Sequence, residues 1–196
     1  MGKRVVAIVS GETDRVAIPH LCRELLPGVE LFEVRKPPGN AVFTPDQAAR
    51  LVKAAWYDLY GRGTPPDKFV LLVDADASAK TPWLAAKPFE EAVTRLADIP
   101  APKYVAVAVR HLEAWFFGHA EQLREFLGRD AGSVDTSRPD EIDNPKQHLI
   151  SLLRSQFRVY TARVAGQIAE KLDGHTIQGR SPSFAAFVDK LRNGAG

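Results

Sequence analysis

Four carboxylates follow hydrophobic segments of this sequence, at points where they could bind a metal ion. Asp74 and Asp76 come directly after the apolar run Phe69–Val73, and Glu12 and Glu113 each follow another apolar run. Residues two apart in a strand can point the same way, so Asp74 and Asp76 would repel each other unless a cation lies between them. Carboxylate oxygens are the ligands that Mg²⁺ and Mn²⁺ prefer. The pattern therefore predicts a divalent-metal site formed by all four side chains.

Each of these acids also has a purely structural interpretation. Asp74 or Asp76 could cap the loop that follows its strand. Glu12 could be a first-turn acid that interacts favourably with a helix dipole. Glu113 could form a buried ion pair with Arg110 or another base. From the residues alone, both interpretations stay open.

Basic residues near the acids are candidates for binding a phosphate group. Lys80 follows the two aspartates closely, Arg110 precedes Glu113, and Lys146 lies in the first turn of a predicted helix, where free N–H groups also attract anions. His111 is a candidate ligand or acid/base group, although a structural role is more typical of such a histidine. Asp14 is predicted to cap a helix rather than to bind metal.

The segments that carry these residues alternate between strand and helix patterns. Apolar, β-branched runs predict strands at Val5–Val9, Leu31–Val34, Phe69–Val73 and Tyr104–Val109. Helical spacing and end signals predict helices at about residues 15–26, 45–60 and 88–97. This alternation predicts an α/β fold with a doubly wound, mostly parallel sheet of about four strands. Ligands bind beyond the carboxyl ends of such strands, where the four acids would meet.

The last third of the chain has a different pattern. Residues 129–143 are polar and predict a loop, and helices are expected from Asn144 to Phe157, from Tyr160 to Leu172 and from Pro182 to Leu191. We therefore expect an α/β core over residues 1–128 and a helical C-terminal extension over residues 129–196, packed on that core.

Composition narrows the class of protein. The formal charge of +2 is too small to indicate a nucleic-acid partner by itself. The single cysteine, Cys22, permits no internal disulfide, and no apolar run reaches the ~20 residues of a membrane span. The N-terminus also lacks a signal-peptide pattern, so the expected location is the cytoplasm. Motifs for P-loop ATP hydrolysis, nicotinamide binding and structural zinc do not occur.

The arrangement of a Glu after the first strand and an Asp-x-Asp after the third resembles a Toprim domain, the metal-binding core of primases, type IA and type II topoisomerases and some defence-related nucleases. The whole chain resembles a bacterial domain-of-unknown-function family, number 4276, that is Toprim-like. The matching stretches are SGETD at 10–14, LLVDADAS at 71–78, VAVRHLEAWF at 107–116, NPKQHL at 144–149 and RSPSFAAF at 180–187.

The resemblance implies a catalytic Glu12 and metal-binding Asp74 and Asp76, with Mg²⁺ or Mn²⁺ as cofactor. It also marks Glu113, Trp115, Asn144 and Pro145 as characteristic family positions without an assigned role. Ser78 is a departure, because Toprim proteins often carry a third acid at this position. Two metal ions would be held less well here unless Glu113 substitutes for that acid.

Two functions are therefore expected, and a third is less favoured. The first is a metal-dependent phosphoryl-transfer enzyme, a nuclease, with Glu12, Asp74 and Asp76 as catalytic residues. The second is a non-catalytic metal- or nucleic-acid-binding partner of an ATPase. DADAS at 74–78 also matches the nucleophile loop of haloacid-dehalogenase-like phosphatases, but that loop usually follows the first strand rather than the third.

Overall fold

Four parallel strands form one sheet within the described residues, 2–39, 41–75, 81–128 and 137–193 of a computed structural model. They are β1 (Lys3–Ile8), β2 (Val29–Arg35), β3 (Lys68–Asp74) and β4 (Lys103–Ala108). The spatial order is β2-β1-β3-β4, and all three neighbouring pairs are parallel. The predicted α/β fold with a doubly wound parallel sheet is confirmed.

Helices surround this sheet, and several begin at a side-chain cap. Thr44 Oγ1 accepts a hydrogen bond from the Gln47 N–H (3.2 Å), and Ser181 Oγ accepts one from the Phe184 N–H (3.2 Å). The helices in the described residues are α1 (Glu12–Cys22), α2 (Pro45–Gly61), α3 (Lys87–Thr94), α4 (Glu113–Phe116), α5 (Ala120–Leu127), α6 (Pro145–Arg154), α7 (Ala162–Lys171), α8 (Gly174–Arg180) and α9 (Pro182–Arg192).

Several predicted helix boundaries were wrong, including the start of α1 and the end of α6. Helix α1 begins at Glu12 rather than near Arg15, because it starts directly after the turn that ends β1. Helix α6 ends at Arg154 rather than Phe157, because Phe157 adopts a left-handed backbone conformation with φ of 56°.

The strands alternate their side chains between two hydrophobic layers. Val6, Ile8 and Leu71 pack with α2 and α3 on one face of the sheet. Val5 and Ala7 pack on the other face with α1 and with the C-terminal helices, which form the larger layer. Burial on both faces explains why the strand sequences are continuously apolar instead of alternating.

A buried hydrogen-bond network attaches the C-terminal helices to the segment after β4. Trp115 Nε1 donates to Ser183 Oγ (2.8 Å), and Ser183 Oγ donates to Asp140 Oδ1 (2.9 Å). Asp140 also accepts from Ser181 Oγ (2.7 Å) and from the Ser183 N–H (2.8 Å). These bonds satisfy polar groups that would be costly to bury alone.

Close helix contact also holds the extension against the core. Helix α7 packs along α1, and Gly166 lies where a Cβ atom would come within 2.5 Å of Val16 Cγ1. A side chain at Gly166 would therefore push the two helices apart. Among the described helices, none has the length and apolar character needed to cross a bilayer.

Candidate functional site

The carboxyl ends of β1 and β3 form the topological switch point of the sheet. The chain runs from β1 to β2 on one side, whereas β3 lies on the other side of β1. Such crevices are the usual ligand sites of open α/β sheets. The turn Ser10–Asp14 follows β1, Asp74 is the last residue of β3, and Glu113 begins the helix after β4. The fold therefore brings three acid-bearing segments to one edge.

Asp14 is the buried acid at this edge. Its Oδ2 accepts hydrogen bonds from Ser10 Oγ (2.7 Å) and from the Gly11 N–H (3.1 Å), so it does cap α1. Burial, followed by the negative charge of Asp74, raises the pKa of Asp14 to about 7, and the charge of Glu113 adds to this effect. The hydrogen bond from Ser10 acts in the opposite direction. Asp14 thus belongs to the acidic cluster as well as to the helix cap.

The sequence did not predict that Asp14 belongs to the acidic cluster, because the predicted start of α1 lay near Arg15 instead of Glu12. With the helix beginning at Glu12, Asp14 is its third residue, and a side chain at that position reaches back toward the preceding turn. The signal in the sequence was an acid three residues after Gly11, directly behind a buried strand.

Asp74 is one quarter exposed at the end of β3. Its Oδ2 lies 3.7 Å from His111 Nδ1, which makes His111 a direct neighbour of the predicted metal ligand. Two other predicted site residues, Asp76 and Lys80, lie outside the described residues. Their predicted roles as metal ligand and phosphate-binding residue stay predictions.

Glu113 is almost fully buried and has a charged neighbour and a hydrogen-bond donor. Its Oε1 accepts a hydrogen bond from the Tyr160 hydroxyl (2.9 Å) and lies 3.9 Å from Lys146 Nζ. Burial, together with the charge of Glu113, raises the pKa of Tyr160, so the phenol stays protonated and donates. The ion pair that was the structural alternative for Glu113 is present, and its base is Lys146 rather than Arg110. Tyr160 was not predicted as a site residue.

Arg110 points elsewhere. Its Nη2 lies 2.5 Å from Asp143 Oδ1, its backbone is left-handed with φ of 70°, and its Nε is buried without a hydrogen-bond partner among the described residues. Of the three cations predicted to bind phosphate, Lys146 is therefore the one that the described contacts place beside an acid of the site. Its side chain is about half exposed (48%), so its ammonium group can also face a ligand.

Glu12 lies on the exposed side of the same turn. Its carboxylate forms an ion pair with Arg15, and its Oε2 lies 3.7 Å from Lys36 Nζ. The hydrogen bond from Arg15 lowers the pKa of Glu12. Asp14, rather than Glu12, is the acid of this turn on which the charges of Asp74 and Glu113 act. The catalytic role of Glu12 stays a prediction.

The chemistry of this cluster suits a hard divalent cation. Its donors are carboxylate oxygens, and burial, together with the negative charges of Asp74 and Glu113, raises the pKa of Asp14. No three Asp, Glu, His or Cys side chains stand close enough together to enclose an ion within the ranges that the structure describes. The donor types fit Mg²⁺ or Mn²⁺. The described ranges omit Asp76, so they contain only part of the predicted set of ligands.

Comparison with known proteins identifies the family. A family model described as "Domain of unknown function (DUF4276)" matches residues 9–192. The chain belongs to this family. No curated protein matches the chain in sequence.

Solved structures similar to this DUF4276 chain come from OLD proteins. The C-terminal region of the Burkholderia pseudomallei OLD protein is 16% identical, with a TM-score of 0.54 over 97% of this chain and 98% of that chain. The C-terminal region of the Xanthomonas campestris pv. campestris OLD protein is 18% identical, with a TM-score of 0.43 over 96% of this chain and 94% of that chain. The first of these shows that the fold is shared almost from end to end.

The structure gives physical roles to residues that the DUF4276 resemblance marked as characteristic. Asn144 precedes α6 in the left-handed conformation (φ of 46°), and Pro145 is buried at the first position of that helix. This start puts Lys146 in the first turn, next to Glu113. Trp115 is buried and bonded to Ser183. These positions hold the helical extension so that Lys146 and Tyr160 reach the acidic edge.

Proposed function

We propose that this protein is a metal-dependent phosphoryl-transfer enzyme, a Toprim-like nuclease that acts on nucleic acid in bacterial defence or genome maintenance. One observation carries the proposal: Asp14 is buried at the switch point of the sheet, where the charges of Asp74 and Glu113 oppose its ionisation. Such an arrangement is costly at neutral pH unless a proton or a cation joins it. A divalent cation bound at this edge would offset that negative charge.

In this proposal the metal ligands are Asp74, Asp76, Glu113 and Glu12, as the sequence predicts, with Asp14 added from the structure. A divalent ion held here would polarise a phosphate group and lower the pKa of a bound water. The chain's own groups then position the substrate. Lys146 offers an ammonium group to a phosphate oxygen, and the Tyr160 hydroxyl orients Glu113 through its hydrogen bond (2.9 Å). Lys80 and Arg110 are the further phosphate-binding candidates.

A second candidate function is that of a non-catalytic, metal- and nucleic-acid-binding partner of an ATPase. The contacts of Glu113 favour it, because Lys146 and Tyr160 already compensate this carboxylate without a metal. Ser78 favours it too, because it replaces an acid that Toprim proteins often carry. Such a protein would keep metal binding and lack turnover.

The test combines metal binding with cleavage. Mg²⁺ and Mn²⁺ are titrated calorimetrically into wild type and into Asp74→Asn, and both proteins are incubated with supercoiled plasmid and single-stranded DNA. We expect wild type to bind metal and to nick DNA only with metal. Asp74→Asn should lower cleavage on the order of 1,000-fold, beyond the 10–100-fold typical of residues that only support a ligand. Asp189→Asn, a change of an exposed acid in α9, is the matched control.

The same assay ranks the two acids of the first turn. If Asp14→Asn abolishes metal binding and Glu12→Gln does not, Asp14 is the ligand and Glu12 only pairs with Arg15. The reverse result would support the role that the sequence predicts for Glu12. Metal binding without cleavage would favour the second candidate function. If wild type binds no metal at millimolar concentration, with or without DNA, both functions are wrong.

A further inference from the structure

Phe157 occupies a backbone position that normally belongs to glycine. Its N–H donates to the carbonyl of Arg154 (3.0 Å), and the Arg158 N–H donates to the carbonyl of Leu153 (3.0 Å). This pair of bonds closes α6 in a Schellman motif, in which the residue at the Phe157 position is left-handed and usually Gly. The φ of 56° at Phe157 fits the motif. A side chain with a Cβ atom destabilises this conformation.

The Phe157 ring gains nothing from folding that would offset this cost. Its side chain is 100% exposed, so it buries no apolar surface. The neighbouring Val159 is also mostly exposed (76%). A single exposed apolar residue is ordinary, but a fully exposed aromatic ring on a left-handed backbone is unfavourable on both counts. The ring therefore points to contact with something outside the chain.

The surroundings of Phe157 carry positive charge. Its depression is lined, among the described residues, by Ile150, Arg154, Phe157, Arg158, Val159 and Tyr160, none of which has a carboxylate. Arg158 is held in place, because its guanidinium lies 4.3 Å from the centre of the Phe126 ring and donates to the Phe126 carbonyl (3.3 Å). Arg154 is exposed at the end of α6. This patch complements a polyanion.

The patch adjoins the candidate metal site. Tyr160 lines the depression and also donates to Glu113 (2.9 Å). Three residues of chain span at most about 11 Å, so the Cα atoms of Phe157 and Tyr160 lie within that distance of each other. A strand whose phosphate reaches the acidic edge could place a nearby base on the Phe157 ring.

We propose that Phe157, flanked by Arg154 and Arg158, is a base-stacking subsite for single-stranded nucleic acid. A flat ring in a basic groove accepts any unpaired base, since every base has a π-face, and the arginines bind the adjoining phosphates. This inference rests on the proposed function, which supplies nucleic acid as the substrate. It adds that the strand is unpaired next to the bond that is cleaved.

Fluorescence anisotropy with a labelled 12-nucleotide single strand tests this subsite without cleavage. The full chain is assayed in EDTA against the strand and against an abasic strand of the same length and charge. We expect Phe157→Gly to weaken binding of the base-containing strand roughly 5- to 100-fold, the range of one base–aromatic stack. Phe157→Trp should retain binding. Binding of the abasic strand should be weak in wild type and unchanged in Phe157→Gly.

Two features keep the result interpretable. Glycine is favoured at the left-handed position, so Phe157→Gly should fold with an unchanged or higher thermal midpoint. Tyr60→Ala removes another exposed aromatic side chain, on α2, which packs on the opposite face of the sheet, and should not change binding. Binding is measured in EDTA, where metal-dependent cleavage does not occur, so failure of the nuclease proposal is distinguishable from failure of this one.

The proposal is overturned by either of two results. One is equal binding of the single strand by wild type and Phe157→Gly, which would leave the Phe157 ring to a protein partner. The other is equal affinity of wild type for the base-containing and abasic strands, which would mean that the arginines bind phosphates and the ring stacks on nothing.

Discussion

Charged side chains have different surroundings at the two ends of the parallel strands, which are the amino edge and the carboxyl edge of the sheet. At the amino edge, basic side chains find partners within the fold. Lys68 Nζ donates to the Lys190 carbonyl (2.9 Å), and Lys3 Nζ donates to the Arg192 carbonyl (2.9 Å). Both lysines thereby cap the carboxyl end of α9, where free carbonyls attract cations.

At the carboxyl edge, acids lie near one another instead. Asp14 receives hydrogen bonds from Ser10 and Gly11, yet the charges of Asp74 and Glu113 still raise its pKa beyond the effect of burial. The difference teaches where to look for function. The hydrogen-bonded lysines hold the end of α9, whereas the acids at the carboxyl edge support the proposed binding of a cation.

The largest expected effect is a pH-dependent loss of stability at the carboxyl edge. Asp14 has a pKa of about 7 in the folded chain, above its ordinary value of 3.8. The folded state therefore holds this proton more tightly, and its contribution to stability is lost as pH rises from about 4 to about 7. This difference in pKa corresponds to at most about 4 kcal/mol. Asp14→Asn should remove this slope and be the more stable protein at pH 8.

Urea unfolding in EDTA at pH 4, 6 and 8 measures this difference, with Asp189→Asn as the control. Millimolar Mg²⁺ at pH 8 should restore the stability of wild type and leave Asp14→Asn nearly unchanged. Parallel pH curves for wild type and Asp14→Asn would mean that the charge at this edge is compensated after all.

An intermediate effect is expected where an acid is compensated by the fold. Asp140 accepts three hydrogen bonds from Ser181 and Ser183, and Ser183 also accepts from Trp115. Ser183→Ala leaves the buried indole N–H of Trp115 without its acceptor and should lower the free energy of unfolding by about 1–3 kcal/mol. Chemical denaturation measures it.

The matched control for this network is Ser151→Ala. Ser151 Oγ donates to the Gln147 carbonyl on the exposed side of α6 (2.9 Å), and its loss should change stability by less than about 0.5 kcal/mol. Equal effects of the two substitutions would show that the Trp115–Ser183–Asp140 network has no special share in holding the extension.

At neutral pH, the smallest effect is expected at the amino edge. Burial, with the nearby charge of Lys3, lowers the pKa of Lys68 from 10.5 to about 8. The folded state therefore favours the neutral amine, and wild type should gain stability as pH rises from about 8 to about 10.5. Lys68→Met should lack this gain. At pH 7, Lys68→Met loses the hydrogen bond to the Lys190 carbonyl, which is worth about 1 kcal/mol. This loss is offset because the variant no longer buries a charged ammonium group.

The decisive comparison for Lys68→Met is activity. Thermal unfolding between pH 7 and pH 10 gives its stability, with Lys171→Met, which changes an exposed lysine, as control. Metal-dependent cleavage by Lys68→Met should equal that of wild type, because the amino edge lies at the other end of the strands. A loss of cleavage in Lys68→Met would contradict the proposal that only the carboxyl edge takes part in cleavage.

Much of the fold followed from local pattern. Continuous apolar runs such as Val5–Val9 and Phe69–Val73 predicted strands buried on both faces, and the sheet confirms them. Pro-containing caps such as Ser181-Pro182 placed helix starts well. Helix ends were less predictable. Phe157 extends the helical pattern in sequence, and only hydrogen bonds to Leu153 and Arg154 show that the helix has already closed.

The candidate site followed from the sequence in part. That Asp74 would lie at the carboxyl edge follows from its place after a buried strand. Whether Glu12 or Asp14 faces Asp74 does not follow from the sequence. The answer depends on the residue at which α1 begins, and the predicted start was about one turn too late. The partner of Glu113 was equally hidden, because Lys146 and Tyr160 lie 33 and 47 positions away in the sequence. Contacts over such separations depend on packing that no short motif encodes.

The sequence by itself therefore determined the kinds of element, parallel strands, because their runs are apolar throughout. It also predicted a hard-metal site, because oxygen donors follow those strands. Only the tertiary structure decided which charges meet. The strand order puts β1 beside β3, so that the charge of Asp74 acts on Asp14, and packing of the C-terminal helices brings Tyr160 to Glu113. The physical reason is that electrostatic interactions depend on distance in space and on burial, and both are properties of the folded chain.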